Sequence, residues 1–391
     1  MNIDVAHVTT HTDLEAFVRL PFRLYRADPN WPPPLLRQQR ALLDARRNPF
    51  FARADVALLL ARQGGEVVGS IAAFVDHRHN QVHDERTGHF GFFESVDDAA
   101  VATRLLATAQ DWVAAQGMTT LRGPLNFTRE QGEGFLVAGA DHMPSILTPY
   151  NPPAYAAACE RFGLRKVMDA FAYRLDLTRL PVANAAEDTL VQLAQRSAHA
   201  SRVTLRRASR TTLRRDFVRA RPVLDQTYAR NWGYTPFTDD EMMRTAARLG
   251  AIADPDLAVA AEVDGEIVGL ALAIPDYNQI LRHLRGRLLP VGWLKALWLR
   301  RTGAIDRARF LVIGVLDRYR QQGVEARMLV MLVETLLRKG YRTLEFANVL
   351  ESNTPINALL RFWGQPYGVH ICRTYRIYEG AIQPSGNAAC G

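Results

Sequence analysis

The sequence predicts an α/β protein (α+β in the broad sense) built as two tandem halves of similar design, and three observations carry that prediction. The first is an internal repeat. Gly65-Glu66-Val67-Val68-Gly69 recurs as Gly265-Glu266-Ile267-Val268-Gly269 at an offset of 200, and Asn151-Pro152-Pro153 and Tyr173-Arg174-Leu175 recur as Asn353-Thr354-Pro355 and Tyr375-Arg376-Ile377 at an offset of 202. Landmarks in one order at a near-constant offset mark a duplication. The second is that each Gly-centred repeat lies between apolar runs, 56–61 and 70–75 in one half and 257–261 and 270–274 in the other, which is the pattern of strand, tight turn, strand. The third is a helix-then-strand unit further on in each half. Residues 99–115 are helical in pattern up to Gly117 and precede Thr119-Thr120-Leu121; Met328, Leu329, Leu332, Val333, Leu336 and Leu337 recur at helical spacing, end at Arg338-Lys339-Gly340 and precede a strand over 342–349.

A chain of 391 residues exceeds what one core fills. The halves are expected at 1–178 and 200–380, with a connector over 179–199 that begins near Leu180-Pro181 and a flexible tail over 381–391. Hydrophobic residues at 48% and charged residues at 23% exclude a disordered chain. No apolar run reaches the about 18 residues of a membrane span, and the first twenty residues carry His, Asp and Glu early with no apolar core of a signal peptide. Cys159, Cys372 and Cys390 form neither a metal spacing nor a disulfide framework, which fits a cytoplasmic protein without a metal. The net charge of +8 suits nucleic acid, an anionic membrane face or an anionic cofactor such as coenzyme A. The arginines are spread along the chain and no block resembles a nucleic-acid arm, so nucleic acid is not the expected partner.

The most informative stretch is Phe310-Leu311-Val312-Ile313-Gly314-Val315 followed by Leu316-Asp317-Arg318-Tyr319-Arg320-Gln321-Gln322-Gly323-Val324-Glu325-Ala326. A buried-type strand runs through a short polar loop straight into an amphipathic helix. Amide groups at a helix start are unpaired and lie at the positive end of the helix dipole, a geometry that binds pyrophosphate. Gly323 lets the backbone approach such a group, and Arg318 or Arg320 adds charge.

Arg320-Gln321-Gln322-Gly323-Val324 resembles the R/Q-x-x-G-x-G/A signature of the GNAT superfamily of acyl-CoA N-acyltransferases, with Glu325 where Gly or Ala is usual. The resemblance implies in each half a mixed, largely antiparallel sheet flanked by helices. It implies that the sheet splays between its fourth and fifth strands around the thioester, with main chain near Ile313 and Val315 pairing with the pantetheine arm. It places acyl-CoA on Arg318 and on Arg320, Gln321, Gln322, Gly323, Val324, Glu325 and Ala326, with Asn353 at the start of the following helix as a further contact. In the first half, His89-Phe90-Gly91-Phe92-Phe93-Glu94 is the matching strand, but Ser95-Val96-Asp97-Asp98 follows it and offers acids where phosphates need donors. One acyl-CoA per chain is therefore expected, in the second half.

Amine acylation needs a base for the nucleophile and an acid for the leaving thiolate. The tyrosine that many GNAT enzymes use as acid is absent, with Leu360 and Cys159 at the corresponding places; Tyr367 or Tyr378 is the substitute. Glu94, at the end of an apolar strand, is the candidate base, and Asn348 and Glu351 flank the end of the fifth-strand segment. His77, His79, His83 and His89 lack a fixed spacing and are expected on an exposed loop without metal. Asn126 and Asn151, in the bends 123–127 and 150–155, are either cleft-lining donors or turn residues.

The second half is longer than the first over 278–309. This insertion holds Arg282, Arg285, Arg287, Lys295, Arg300, Arg301, Arg307 and Arg309, interleaved with leucines and with Trp293 and Trp298, and no acid appears until Asp306. It is either a membrane-interfacial segment or an amphipathic lid.

The whole layout is similar to a bacterial family of long GNAT-like proteins, through Asn48-Pro49-Phe50-Phe51, Phe90-Gly91-Phe92-Phe93-Glu94, Asn231-Trp232-Gly233 and Arg287-Leu288-Leu289-Pro290. Some of its members resemble bacterial ceramide synthases, which acylate a sphingoid base. The expectation is transfer of a long acyl chain from acyl-CoA to an amine, with peripheral contact at the inner membrane face. The alternatives are an aminoacyl-tRNA-dependent transferase of the peptidoglycan type and a non-catalytic CoA- or membrane-binding module.

Overall fold

The structure, a computed structural model, describes residues 2–180, 192, 202–229 and 231–382, so the connector and the tail lie almost wholly outside the described residues. Along the chain run β1 (Ile3–His7), α1 (His11–Leu24), α2 (Leu36–Leu43), β2 (Ala54–Gln63), β3 (Glu66–Asp76), α3 (His77–His83), β4 (Thr87–Ser95), α4 (Ala99–Ala115), β5 (Thr120–Gly123), β6 (Phe135–Ala138), α5 (Ala154–Phe162) and β7 (Arg165–Asp176). After the connector come β8 (Thr204–Arg207), α6 (Leu213–Arg219), α7 (Arg221–Tyr228), α8 (Asp239–Ile252), β9 (Ala258–Val263), β10 (Glu266–Pro275), α9 (Asn278–Leu281) and α10 (Gly292–Arg301). The chain then continues through β11 (Arg307–Val315), α11 (Val324–Arg338), β12 (Thr343–Leu350), α12 (Thr354–Ala358) and β13 (His370–Ala381).

Two compact units divide the chain: Met1–Phe171 with Asn278–Thr302 and Cys372–Gly391, and Ala172–Tyr277 with Gly303–Ile371. The insertion and the closing strand thus group with the first half of the sequence. In that unit the strand order is β1-β2-β3-β4-β5-β13, with β6 also on β13. In the other it is β12-β11-β10-β9-β8. Among the described residues each strand set is mixed and mainly antiparallel, and contains a parallel pair, β4/β5 or β11/β12.

The repeat seen in sequence is a repeat in register. Both hairpins turn on residues with positive φ, Gly64-Gly65 and Asp264-Gly265, as two-residue turns between right-twisted strands require. Ala73 faces Phe90, Ser70 faces Glu94 and Gly69 faces Ser95; likewise Ala273 faces Phe310, Leu270 faces Gly314 and Gly269 faces Val315. Each later strand carries one extra residue against its partner, a bulge that bends its end. Apolar clusters line both faces of both sheets. Leu59, Ile71, Phe90 and Leu105 form one in the first unit, and Phe50, Phe74 and Phe127 another. Leu224, Leu270 and Leu272 form one in the second unit, and Val259, Val268 and Met328 the other. This is why the strands read as near-continuous hydrophobic runs.

The histidines depart from the sequence expectation of an exposed loop. His77, His79 and His83 lie on α3, started by Asp76, whose carboxylate accepts from the amides of Arg78 and His79. His79 and His89 are buried, and His89 stacks on Phe74 at 5.3 Å. Burial holds both imidazoles below their ordinary pKa, so they pack as neutral rings. Arg307 and Arg309 are also corrected: both are buried in β11, Arg307 donating to Asp276 at 2.6 Å, and neither belongs to the surface segment.

Candidate functional site

In the second unit, β11 and β12 pair from Arg307–Thr343 to Phe310–Phe346. Beyond that pair both strands continue, to Val315 and Leu350, with no paired residues between them among the described residues. Asn348 takes φ +62° within β12, which turns the strand aside. β11 leads through a short 3-10 turn, Asp317–Tyr319, to Gln321 (φ +61°) and Gly323 (φ +70°), and α11 begins there. The left-handed conformation at the helix cap is one that glycine adopts without steric cost. No side chain caps α11. Val324, Met328, Leu332 and Leu336 are buried and fix the helix on its sheet, so its uncapped start and dipole rest on a rigid mount.

The loop is braced from within. Arg320 donates Nε–H to the Val315 carbonyl at 3.2 Å and pairs with Asp317 at 2.9 Å. Gln322 donates to the Arg318 carbonyl at 3.1 Å. Arg318 and Gln321 are exposed, with the Arg318 guanidinium 5.1 Å from the Tyr319 ring. Glu325, in the first turn, is half-buried; burial raises its carboxyl pKa, while a bond from its own amide and the charge of Arg320 act against that rise. An uncapped helix start beside an unpaired strand end fits an anionic group joined to an extended amide-bearing chain.

The first unit closes the same place with its own atoms. β4 and β5 pair only as far as His89–Arg122. The chain after β5 then turns in: the Leu125 amide donates to the Phe90 carbonyl at 2.8 Å, and Asn126 accepts from the Phe92 amide at 2.8 Å. A Cβ on Gly91 would lie 1.8 Å from the Leu125 carbonyl oxygen, so only glycine permits that approach. Asp98 caps α4 by accepting from the Ala100 amide at 2.8 Å. Asn126 and Asn151 are thus both turn residues; Asn151 bonds the Leu136 amide at 2.7 Å and the Pro152 carbonyl at 2.9 Å.

What the first unit offers instead is Glu94. Its carboxylate accepts from the hydroxyls of Tyr25 at 2.7 Å and Tyr155 at 2.9 Å. Tyr25 stacks on Trp31 with ring centroids 5.1 Å apart, and Tyr150, nearby at 6.1 Å, donates to Asp28 at 2.7 Å. Desolvation pushes the Glu94 carboxyl up to about 7, against the pull of the two hydroxyls. The same burial and the neighbouring carboxylate keep Tyr25 and Tyr155 protonated. A half-buried carboxyl that titrates near neutrality is suited to proton transfer. Its place in the second unit is taken by Gly314, where a Cβ would lie 2.0 Å from Thr227 Oγ1. The place of Tyr155, at the 202 offset, is taken by Asn357, which bonds the Leu350 carbonyl at 2.8 Å and accepts from Tyr173 at 2.7 Å.

The remaining sequence candidates separate. Ile313 is half-buried and Val315 buried, both paired to β10; Val324 and Ala326 are buried at the start of α11. Asn353 caps α12, accepting from the Ile356 amide at 3.4 Å, so its side chain is engaged in the fold. Glu351 follows β12 and its carbonyl accepts from Asn357 at 3.4 Å. Tyr378 is fully buried in the core of the first unit, donates to Glu160 at 2.9 Å and is raised in pKa by that burial. Leu360 and Cys159 are buried. Sequence reasoning missed Tyr25 and Tyr155. The signal for Tyr155 was its place in the 150–155 bend; Tyr25, far away in sequence, gave none.

A mixed sheet whose parallel pair splays before an uncapped, glycine-started helix defines a class, the acyl-group transferases of the GNAT fold. Residues 223–364 match the acetyltransferase (GNAT) family. The chain is 33% identical over 390 residues to a protein of Caulobacter vibrioides named bacterial ceramide synthase, covering 97% of this chain and 98% of that one. It is 31% identical over 375 residues to protein YghO of Escherichia coli, covering 95% and 93%. Among solved structures it is similar to a tandem GNAT protein from the clavulanic acid biosynthesis pathway, with a TM-score of 0.59 at 16% identity over 98% of this chain and 100% of that one. The chain belongs to the GNAT family, in a tandem form, and is an N-acyltransferase.

Proposed function

We propose that this chain moves a long acyl group from acyl-CoA to the amine of a lipid-like acceptor, a sphingoid base, to give a ceramide-type product. The observation that carries the proposal is the uncapped start of α11 beside the end of β11, which is unpaired on its β12 side. Residues 318–326 take the CoA pyrophosphate, and the main chain at Ile313 and Val315 takes the pantetheine arm. The name of the Caulobacter relative supports the acceptor class.

The acceptor ammonium gives its proton to a base, for which Glu94, with its carboxyl raised to about 7, is the candidate. The freed nitrogen attacks the thioester carbonyl, the C–S bond breaks, and the proton that the nitrogen sheds as it becomes an amide balances the one taken up by the departing CoA thiolate. No covalent enzyme intermediate is needed. The protein works at the cytoplasmic face of a membrane; no helix among the described residues is long and apolar enough to cross one.

Mass spectrometry of the products formed from palmitoyl-CoA and a panel of amines tests the proposal. The expected result is an N-acyl sphingoid base formed in step with free CoA. Free fatty acid alone, or an amide that forms only when aminoacyl-tRNA is supplied, would overturn it.

A further inference from the structure

We infer that residues 282–301, the turn before α10 and α10 itself, form a docking element for an anionic lipid surface. The segment is fixed at its base and open at its face. Asn278 donates to the Pro144 carbonyl at 3.0 Å, and the Leu36 amide donates to the Gly286 carbonyl at 3.0 Å. Gly286, at φ +76°, sits so close to Phe22 that a Cβ there would lie 2.5 Å from its ring. Ile280, Leu284 and Leu299 are buried. These contacts hold the segment in one place and leave its apolar residues outside.

Leu289 and Val291 are each 66% exposed, Trp298 is 62% exposed and Leu294 50%. A soluble helix packs its large apolar residues inward, but of the residues of α10 only Leu299 is buried. A lid closed on its own unit would cover them. Six cations, Arg282, Arg285, Arg287, Lys295, Arg300 and Arg301, lie in the same stretch, and no acid occurs between Asp276 and Asp306. Exposed tryptophan and leucine bordered by unopposed cations complement a bilayer whose headgroups are negative and whose interior is apolar. A protein partner of ordinary mixed charge is not matched by so one-sided a field.

A chain of contacts runs from the segment to the acid site of its own unit. Phe22, against Gly286, packs edge-on to Trp31 at 5.1 Å; Trp31 stacks on Tyr25, and Tyr25 bonds Glu94. The inference extends the lipid-acceptor proposal by naming the surface on which the acceptor is met.

Flotation of the full chain with vesicles of phosphatidylcholine alone, and of phosphatidylcholine with an equal amount of phosphatidylglycerol, tests it. Binding is expected to the anionic vesicles, weakened by salt. Arg300→Ala/Arg301→Ala should weaken it about 30-fold, at about 1 kcal/mol per cation, and Trp298→Ala/Leu294→Ala at least about tenfold. Four outcomes would overturn the inference: equal binding by variants and parent, binding to neutral vesicles that salt does not change, binding to tRNA but not to vesicles, or a dimer that Trp298→Ala dissociates with no vesicle binding by the parent. The assay contains neither acyl-CoA nor amine, so its failure is distinguishable from failure of the acyl-transfer proposal, which is read from products in detergent solution.

Discussion

The ends of β4 and β11 are the same structural position built twice, and they have gone opposite ways. At β11 the residue facing Leu270 is Gly314, the gap to β12 is unpaired, and the helix that follows starts on Gly323 without a cap. At β4 the residue facing Ser70 is Glu94, the gap is filled by Leu125 and Asn126, and the helix is capped by Asp98. One copy starts its helix without a side-chain cap and carries no acid at the strand end. The other has used its amides and cap for its own folding and carries an acid of raised pKa. A duplicated fold can thus carry opposite electrostatics at one position, an uncapped helix start in one copy and a buried acid in the other.

The largest effect is expected from the acid. Glu94→Gln keeps the shape and the oxygen that Tyr25 and Tyr155 bond, and removes the proton acceptor. The turnover rate should fall by roughly 100- to 10,000-fold, while acyl-CoA affinity, measured by calorimetry, should be unchanged. In the parent protein the rate should rise with pH through about 7, where Glu94 ionises. A variant of undiminished rate would leave β4 with no chemical difference from β11 worth the name. Next is Gly323→Asp, which sets a carboxylate on the left-handed start of α11. A carboxylate there repels phosphate, and its Cβ restrains the loop's approach to it. A loss of roughly 3 kcal/mol is expected, on the order of 100-fold in Kd for acyl-CoA, with the helix content by circular dichroism intact. Unchanged affinity in the folded variant would remove the pyrophosphate site from α11.

Much of this contrast was legible beforehand, and the part that was not has a physical reason. The hairpins, α4 over 99–115 and α11 were readable because apolar period and glycine turns are local signals. Glu94 was singled out as an acid ending an apolar strand, and the 316–326 loop as a helix start with glycine. The partners of Glu94 were not readable: Tyr25 and Tyr155 stand 69 and 61 residues away, and only the fold brings their hydroxyls to one oxygen. Tyr378 misled for the same reason. Its sequence neighbours place it in the second half, but β13 pairs with β5 and β6 and so carries it into the first unit's core. Strand exchange of this kind is set by long-range pairing, for which a run of alternating residues holds no address.

The smallest effect, and the one most specific to the β4 end, is on stability against pH. Glu94 has its carboxyl raised to about 7 from an ordinary 4.5. The native state therefore binds that proton more tightly than the unfolded chain does. The charge penalty is absent below about 4.5, grows as pH rises, and is complete above about 7. Glutamine carries no charge to desolvate, so Glu94→Gln should melt with its parent at acid pH and above it at pH 8, by a few degrees for a difference on the order of 1–3 kcal/mol. The buried histidines act in the other direction. His79 and His89 have lowered values, so both proteins lose stability as pH falls below about 6.5. That loss is common to the pair and cancels in the difference of melting temperatures. Plotted against pH, the difference should climb between about 4.5 and 7 and level off beyond. A flat line would mean that Glu94 sits in water as an ordinary acid, and the two strand ends would then differ in shape but not in electrostatics.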